Sequence, residues 1–166
     1  MQNKKIRLLA INGVLAACYV VITALFSSFS FGAIQIRIST AFYQLVAYDK
    51  RLYWGMVLGV VVANLLFSPF GPLDILVGLG VTGGGLAIAI FLSRKIKKTI
   101  WRALIIGLCV SLAMVCVALE LVYVSKVPFW ITYFYLIIGQ LIAQVIGYLF
   151  FALINKKFDL NRILHN

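Results

Sequence analysis

Residues 31 to 42 read FGAIQIRISTAF, and this segment decides between two folds. Apolar side chains alternate with other residues along it, as in a β-strand, yet long apolar runs typical of membrane helices flank it on both sides. It also carries Arg37, whose guanidinium keeps its charge, in a region that otherwise lacks charge. The segment is therefore either outside a membrane or part of a span in which Arg37 has a specific role.

The composition is that of an integral membrane protein. Hydrophobic residues make up 64% of the 166 residues and charged residues only 11%, and the mean hydropathy is +1.08. Soluble domains have roughly 45–50% apolar and about 25% charged residues. A helix needs about 20 mostly apolar residues to cross a bilayer, so the chain has room for about six spans and no soluble catalytic domain.

The apolar runs predict six membrane-spanning helices in one domain that covers residues 1 to 166. The predicted spans are residues 8 to 26, 32 to 48, 52 to 68, 73 to 93, 100 to 123 and 129 to 154. The first run is longer than the apolar region of a signal peptide and lacks a clear cleavage site, so we expect it to be retained. The expected fold is an all-α, six-helix transmembrane bundle.

The basic residues predict the orientation of the bundle. A net charge of +11 would suggest nucleic-acid binding in a soluble protein, but these residues fall in short clusters between the apolar runs. With the N-terminus in the cytoplasm, thirteen of the fifteen basic residues lie on the cytoplasmic side, Lys126 lies outside and Arg37 lies within a span. This distribution follows the positive-inside rule. We expect a multi-pass protein of the cell membrane with both termini in the cytoplasm and no nucleic-acid partner.

The sequence holds no arrangement that predicts an enzyme or a metal site. Residues 78 to 83, GLGVTG, match the dinucleotide-binding pattern, but that pattern follows a strand, and these glycines lie inside the fourth predicted span. We interpret them as positions where helices approach closely or deform. No phosphate-binding loop occurs, so ATP-driven transport would need another chain to hydrolyse ATP. The three cysteines and the single histidine lack metal-ligand spacing.

Polar residues within the spans predict a shared location for several side chains. In the second span, the residues with the spacing of one α-helical face are Arg37, Thr40, Ala41, Gln44 and Tyr48. This spacing favours a helix over a strand for most of the opening segment. With the predicted topology, the outer half of the bundle contains Gln35, Arg37, Asn64, Asp74, Glu120, Trp130 and Tyr133.

Two interpretations of these residues remain open. In one, Arg37 forms a structural ion pair with Glu120 or Asp74, and the aromatic residues form an ordinary interfacial belt. In the other, the charged residues belong to a ligand pocket that opens outward, and aromatic rings stack on a planar solute.

The first predicted span carries a stripe of small residues. Gly13 and Ala17 are four positions apart, and Ala10 extends roughly the same face. Such a small-x-x-x-small pair lets another helix pack closely. That helix belongs either to the same bundle or to a partner protein.

Five segments resemble the queuosine-precursor transporter family, one of the substrate-binding S components of energy-coupling factor (ECF) transporters. They read AACYVVIT, FGAIQIRIS, ANLLFSPFGPLDILVG, LELVY and PFWITYFYLIIGQL. The resemblance covers essentially the whole chain, and the combination of IQIR with N-x-x-x-S-P-x-G-x-x-D is specific. It implies six helices with both termini in the cytoplasm.

The resemblance also implies a mechanism and partners. An S component captures a micronutrient on the outer side of the membrane and does no chemistry itself. It then docks through its first helix on a transmembrane coupling protein, which is carried by two cytoplasmic ATPases that use ATP. Gly13 and Ala17 occupy the position of the family's A-x-x-x-A docking stripe.

By the same resemblance, the substrate is a 7-deazaguanine precursor of queuosine with a 7-cyano or 7-aminomethyl group. Its N–H donors suit carboxylates, its oxygen suits an arginine or an amide donor, and aromatic rings can cover its flat faces. The expected substrate-binding residues are Gln35, Arg37, Asn64, Asp74, Glu120, Tyr123, Trp130, Tyr133 and Gln140.

Two positions depart from the family pattern. Thr40 and Gln140 stand where relatives often have glutamate. The chain therefore either binds a queuosine precursor with Glu120 as a carboxylate partner or serves as the S component for another micronutrient or purine-like solute. Two alternatives come from other classes: a small structural membrane protein with a buried ion pair, and a self-contained channel or secondary carrier.

Overall fold

The structure is a computed structural model that describes residues 2 to 27 and 37 to 160. Every regular element within those residues is a helix, which confirms the predicted all-α fold. The elements are α1 (Gln2–Leu25), a short 3₁₀ helix (Ile38–Ala47), α2 (Tyr53–Phe67, after a 3₁₀ turn over Lys50–Leu52), α3 (Pro72–Ser93), α4 (Thr99–Ser125) and α5 (Phe129–Phe158).

Within residues 2 to 27 and 37 to 160, five helices are long and apolar enough to cross a membrane, and they match five of the six predicted spans. The remaining predicted span, residues 32 to 48, corresponds to the short helix, and its first five residues lie outside the described residues. The short helix has 10 residues. Ten residues of 3₁₀ helix rise about 20 Å, against a hydrocarbon core of about 30 Å. The short helix by itself therefore covers about two-thirds of the core.

The short helix differs from the predicted α-helix in its hydrogen bonds. The Thr40 N–H donates to the Arg37 carbonyl at 3.0 Å, and the Tyr48 N–H donates to the Leu45 carbonyl at 3.0 Å, three residues back in both cases. The predicted α-helical geometry of this segment is therefore wrong. A 3₁₀ helix advances about 2.0 Å per residue instead of 1.5 Å, so this geometry extends the segment further across the membrane.

The short helix packs against α5 through small and polar residues. Thr40 Oγ1 donates to Gln140 Oε1 at 3.2 Å, and Gln44 Nε2 donates to Gln144 Oε1 at 2.7 Å. Gly147 lies against the backbone of the short helix, where an added Cβ atom would collide. The absence of a side chain at Gly147 lets the two backbones approach, and the side-chain hydrogen bonds hold them together.

Two glycines of α2 allow α1 to pack closely on it. A Cβ atom at Gly55 would lie 2.8 Å from the Asn12 carbonyl oxygen, and one at Gly59 would lie 2.9 Å from Tyr19 Cβ. Asn12 Oδ1 also accepts a hydrogen bond from the Gly55 N–H at 2.6 Å. The buried side of α1 consists of Asn12, Ala16, Tyr19 and Thr23.

These contacts also give the direction of each helix. Helices α1, α2 and α4 run one way across the bundle, and the short helix, α3 and α5 run the other way. We call the end where α1 begins and α5 ends the terminal end. The opposite end, where α2 and α4 end, is the far end.

Helix α3 widens into π-helical turns over Leu79–Gly84, within the glycine run. The Gly85 N–H donates to the carbonyl of Gly80, five residues back instead of four. Tyr53 in α2 donates its hydroxyl to the Gly83 carbonyl at 3.1 Å and so supplies a partner from outside the helix. The interpretation of this run as a place where the helix deforms is therefore confirmed.

Candidate functional site

Three ionisable side chains meet at the far end of the bundle. Arg37 directly precedes the short helix, Asp74 lies in the first turn of α3, and Glu120 lies in α4. Arg37 Nη2 lies 3.8 Å from Asp74 Oδ2. This separation makes an ion pair but exceeds that of a hydrogen bond. Glu120 interacts electrostatically with both partners. The structure thus brings these three predicted residues together.

The two carboxylates of this cluster are buried. Asp74 is 2% exposed and Glu120 is 4% exposed. The Glu120 side chain lies within hydrogen-bonding reach of Asp74, so the two carboxyl groups either share one proton or carry one negative charge more than Arg37 neutralises. A buried charge is tolerated when it is paired, so this arrangement favours a positively charged or donor-rich partner.

Asn64 holds the start of α3 next to the cluster. Its Nδ2 donates to the backbone carbonyl of Asp74 at 2.7 Å. A Cβ atom at Gly78 would lie 2.5 Å from this Nδ2 atom, so only glycine leaves room for the amide. Before α3 the chain turns at Gly71 with a φ of +63°, a region that glycine adopts without strain.

Four acceptor oxygens of this region have no hydrogen-bond donor among the described residues, apart from a carboxyl proton shared between Asp74 and Glu120. They are Asn64 Oδ1, Asp74 Oδ2 and both carboxylate oxygens of Glu120. An unsatisfied buried polar group costs about 1–3 kcal/mol, and more when it is charged. Because most buried polar groups in proteins have a partner, these oxygens indicate a binding place for a donor-rich molecule, a cation or water.

A small cavity lies beside the cluster. The polar residues that line it are Arg37, Thr40, Tyr43, Asp74 and Thr82. Its volume is about 20 Å³, which is room for one water molecule. Pockets for small molecules enclose roughly 300–1,000 Å³. A planar solute therefore requires the helices around this cavity to move apart.

A chain of buried hydroxyl groups lies next to Arg37, and the sequence patterns do not reveal it. Tyr43 Oη lies 2.7 Å from Thr82 Oγ1 and 3.3 Å from Tyr19 Oη. Arg37 interacts electrostatically with both tyrosines. The sequence shows only that each of three apolar segments contains a residue with a hydroxyl group. The packing of the helices is needed to show that the three hydroxyls meet.

Two further predicted residues are held by hydrogen bonds. Gln140 Oε1 accepts the bond from Thr40, which lines the cavity, while Gln140 Nε2 has no acceptor among the described residues. Tyr133 Oη donates to the Leu112 carbonyl at 3.1 Å, close to the point where α4 is interrupted at Met114. Gln140 is thus next to the cavity, whereas the Tyr133 hydroxyl stabilises the backbone of α4.

The structure does not bring Tyr123 or Trp130 to the cluster. Their side chains are 73% and 78% exposed. The Tyr123 ring lies 5.4 Å from the Lys126 ammonium, and the Trp130 ring packs edge-on against Phe129 at 5.1 Å. Exposed aromatic residues at the ends of spans are typical of an interfacial belt. Gln35, also predicted for this site, lies outside the described residues.

The small-residue stripe of α1 faces away from the bundle. Gly13 and Ala17 are exposed, as is Ala10. A Cβ atom added at Gly13 would meet no described atom within 4 Å. Among the described residues nothing packs on the stripe, which leaves this face open to another molecule.

Comparisons with known proteins agree with the predicted resemblance. A family model described as "QueT transporter" matches residues 9 to 156. A protein of Lactococcus lactis subsp. cremoris (strain MG1363) named "Queuosine precursor transporter QueT" is 26% identical over 171 residues, covering 98% of this chain and 100% of the relative. No solved structure matches the chain. Because the family match covers residues 9 to 156, which is most of the chain, this protein belongs to the QueT transporter family.

Proposed function

We propose that this chain binds a queuosine precursor and takes part in its import across the cell membrane. The observation that carries the proposal is a group of four buried acceptor oxygens on Asn64, Asp74 and Glu120, near the Arg37–Asp74 ion pair. The described residues supply no donor to them beyond a proton shared by the two carboxyl groups. The name of the Lactococcus lactis relative supports the substrate class.

The chemistry of a 7-deazaguanine matches these groups. The base carries N–H donors on one edge, which suit the carboxylates of Asp74 and Glu120. It also carries an exocyclic oxygen, which suits the Arg37 guanidinium. A 7-aminomethyl group adds an ammonium that compensates the excess negative charge, whereas a 7-cyano group adds only an acceptor. The aminomethyl form is therefore the preferred substrate of this site.

A different purine-like solute is the second candidate. Thr40 and Gln140 form a hydrogen bond of 3.2 Å, and the resemblance to the family implies glutamate at both positions. A site without those carboxylates selects a ligand with fewer donors. The purely structural alternative also has support, since the Arg37–Asp74 ion pair is present and the Glu120 side chain lies within hydrogen-bonding reach of Asp74. It supplies the Glu120 oxygens with no donor other than a proton shared with Asp74.

The chain acts, in this proposal, as the S component of an ECF-type importer. The open stripe at Gly13 and Ala17 is the surface on which a transmembrane coupling protein packs. Two cytoplasmic ATPases bound to that protein hydrolyse ATP. The positive residues at the terminal end support a cytoplasmic location for both termini. The far end, with the Arg37 cluster, then faces outward.

Ligand-dependent thermal stabilisation of the purified chain tests the substrate. A ligand at one hundred times its Kd adds about 2.7 kcal/mol to the stability of the native state. We expect the largest shift with 7-aminomethyl-7-deazaguanine, a smaller shift with the 7-cyano compound and the smallest with guanine. A shift with another heterocycle and none with either deazaguanine would favour the second candidate.

Uptake into vesicles tests the mechanism separately. Vesicles that contain only this chain should accumulate no substrate. Addition of the coupling protein and its ATPases should produce ATP-dependent uptake. Uptake by the lone chain would contradict the S-component role and favour a self-contained carrier.

A further inference from the structure

A second recess lies at the terminal end of the bundle, away from the Arg37 cluster. Its volume is about 450 Å³. It lies between the end of the short helix, the end of α3 and the start of α4. The charged residues that line it are Asp49, Lys50, Arg51, Arg94 and Arg102. We call it the basic recess.

One acidic residue compensates one of the four basic residues. Asp49 is buried, and its carboxylate pairs with Arg51, with an Nη2–Oδ2 distance of 2.6 Å. It also accepts the Arg51 backbone N–H at 2.9 Å. Among the described residues, no carboxylate pairs with Lys50, Arg94 or Arg102. The recess therefore has an excess of three positive charges.

Neutral groups hold two of these cations in place. Arg102 Nε donates to the Ile96 carbonyl at 2.7 Å, and its Nη1 donates to the Ala47 carbonyl at 3.5 Å. The Arg94 guanidinium lies over the Phe91 ring, 4.4 Å from its centre. These contacts orient the guanidinium groups without neutralising them. An anion that enters the recess therefore meets charges that are already positioned.

The recess lies at the level of the membrane surface. The apolar span that includes α2 begins at Lys50, α3 ends at Ser93 and α4 begins at Thr99. Residues at the ends of spans lie at the level of the lipid headgroups. Basic pockets between membrane helices at this level suit phosphate-bearing headgroups.

We propose that the basic recess binds the phosphate of an anionic phospholipid headgroup. Lys50, Arg94 and Arg102 supply the positive charges, and the Asp49–Arg51 pair forms one wall. Free phosphate has the same chemistry, but a phospholipid is held at the level of the recess by its acyl chains. This site is independent of the proposed substrate site and lies at the other end of the bundle.

Native mass spectrometry of the full chain from nanodiscs tests this proposal. The nanodiscs contain phosphatidylglycerol and phosphatidylcholine with the same acyl chains. The test variant is Lys50→Gln with Arg94→Gln, which keeps Arg102 and its backbone bonds. The matched control is Lys156→Gln with Lys157→Gln, which removes two exposed charges at the same end but outside the recess.

We expect the preference of the test variant for phosphatidylglycerol to fall by about 25-fold, since each of its two lost basic residues contributes roughly fivefold near a membrane surface. The control should retain the preference of the wild-type chain. Equal retention by the wild-type chain and the test variant would overturn the proposal, and so would equal losses in the test and control variants.

Inorganic phosphate in the same experiment identifies the source of the anion. Excess phosphate should leave the bound phosphatidylglycerol in place. Displacement of the lipid by phosphate would overturn the lipid assignment. Melting curves in phosphatidylcholine alone check the fold, and the single variant Lys50→Gln, with an expected loss of about fivefold, replaces the double variant if the latter melts early.

Discussion

Substitution Glu120→Gln should make the ligand-free protein more stable and its substrate binding weaker. When Asp74 and Glu120 are both ionised, both carboxylate oxygens of Glu120 lack a donor among the described residues. Glutamine has the same shape, removes the charge and supplies an amide that can donate to Asp74. A buried charged group without hydrogen bonds costs at least about 1–3 kcal/mol. We expect the ligand-free protein to gain about that amount, which corresponds to an increase in Tm of roughly 2–10 °C for a chain of this size.

The expected loss in binding follows from the same oxygens. A hydrogen bond to a charged group contributes about 1.5–3 kcal/mol. Loss of one such bond to an ammonium raises the Kd by about 10- to 150-fold. The effect should be largest for 7-aminomethyl-7-deazaguanine and smaller for the neutral 7-cyano compound. The ratio of the two Kd values therefore reports on the charge of Glu120.

Calorimetric titration and thermal unfolding of the purified variant measure both effects. Substitution Asp159→Asn is the matched control, because it also changes an acid to an amide but lies exposed at the terminal end. It should leave the Kd for both compounds unchanged. A Glu120→Gln protein with an unchanged Tm and unchanged affinity for both compounds would refute the assignment of Glu120 to the site.

Three further substitutions test other parts of the structure. Gly13→Leu places a bulky side chain where no described atom lies within 4 Å. Folding and ligand binding should therefore persist, while copurification with the coupling protein is lost. Retained copurification would contradict the proposed docking surface. Gly147→Ala should destabilise the fold by about 1–3 kcal/mol, because the added Cβ atom collides with the short helix. The control Gly84→Ala should not, because no described atom lies within 4 Å of its added Cβ atom. Equal unfolding temperatures of the two variants would argue against the contact at Gly147. Tyr43→Phe removes the hydroxyl that joins two other buried hydroxyls and should cost about 1–3 kcal/mol in unfolding free energy; an unchanged stability would show that the chain of hydroxyls is unimportant.

The membrane spans could be predicted from the sequence because lipid imposes a simple requirement on length and polarity. Each span must satisfy its backbone internally and present apolar side chains over about 20 residues. The same requirement makes Arg37, Asp74 and Glu120 conspicuous, since charge inside a bundle needs a partner. Their meeting at the far end follows from the alternating direction of the helices.

Other features depend on packing that the patterns of a single helix do not contain. Spacing along α5 shows which residues share a face, but it does not show that the Trp130 side chain is exposed. The connection from Tyr19 through Tyr43 to Thr82 joins three separate elements. The 3₁₀ geometry of the short helix could not be predicted either, because the spacing of residues 37 to 48 also fits an α-helix.

The widened turns of α3 divide this helix mechanically. Asp74 lies on one side of them and the residues that line the basic recess lie on the other. The hydrogen bonding changes register over these six residues. The two parts of α3 can therefore change their relative orientation at the π-helical turns. When a solute enters and the helices around it move apart, a change in these turns accommodates the movement. The packing of α3 at the terminal end then stays as it is.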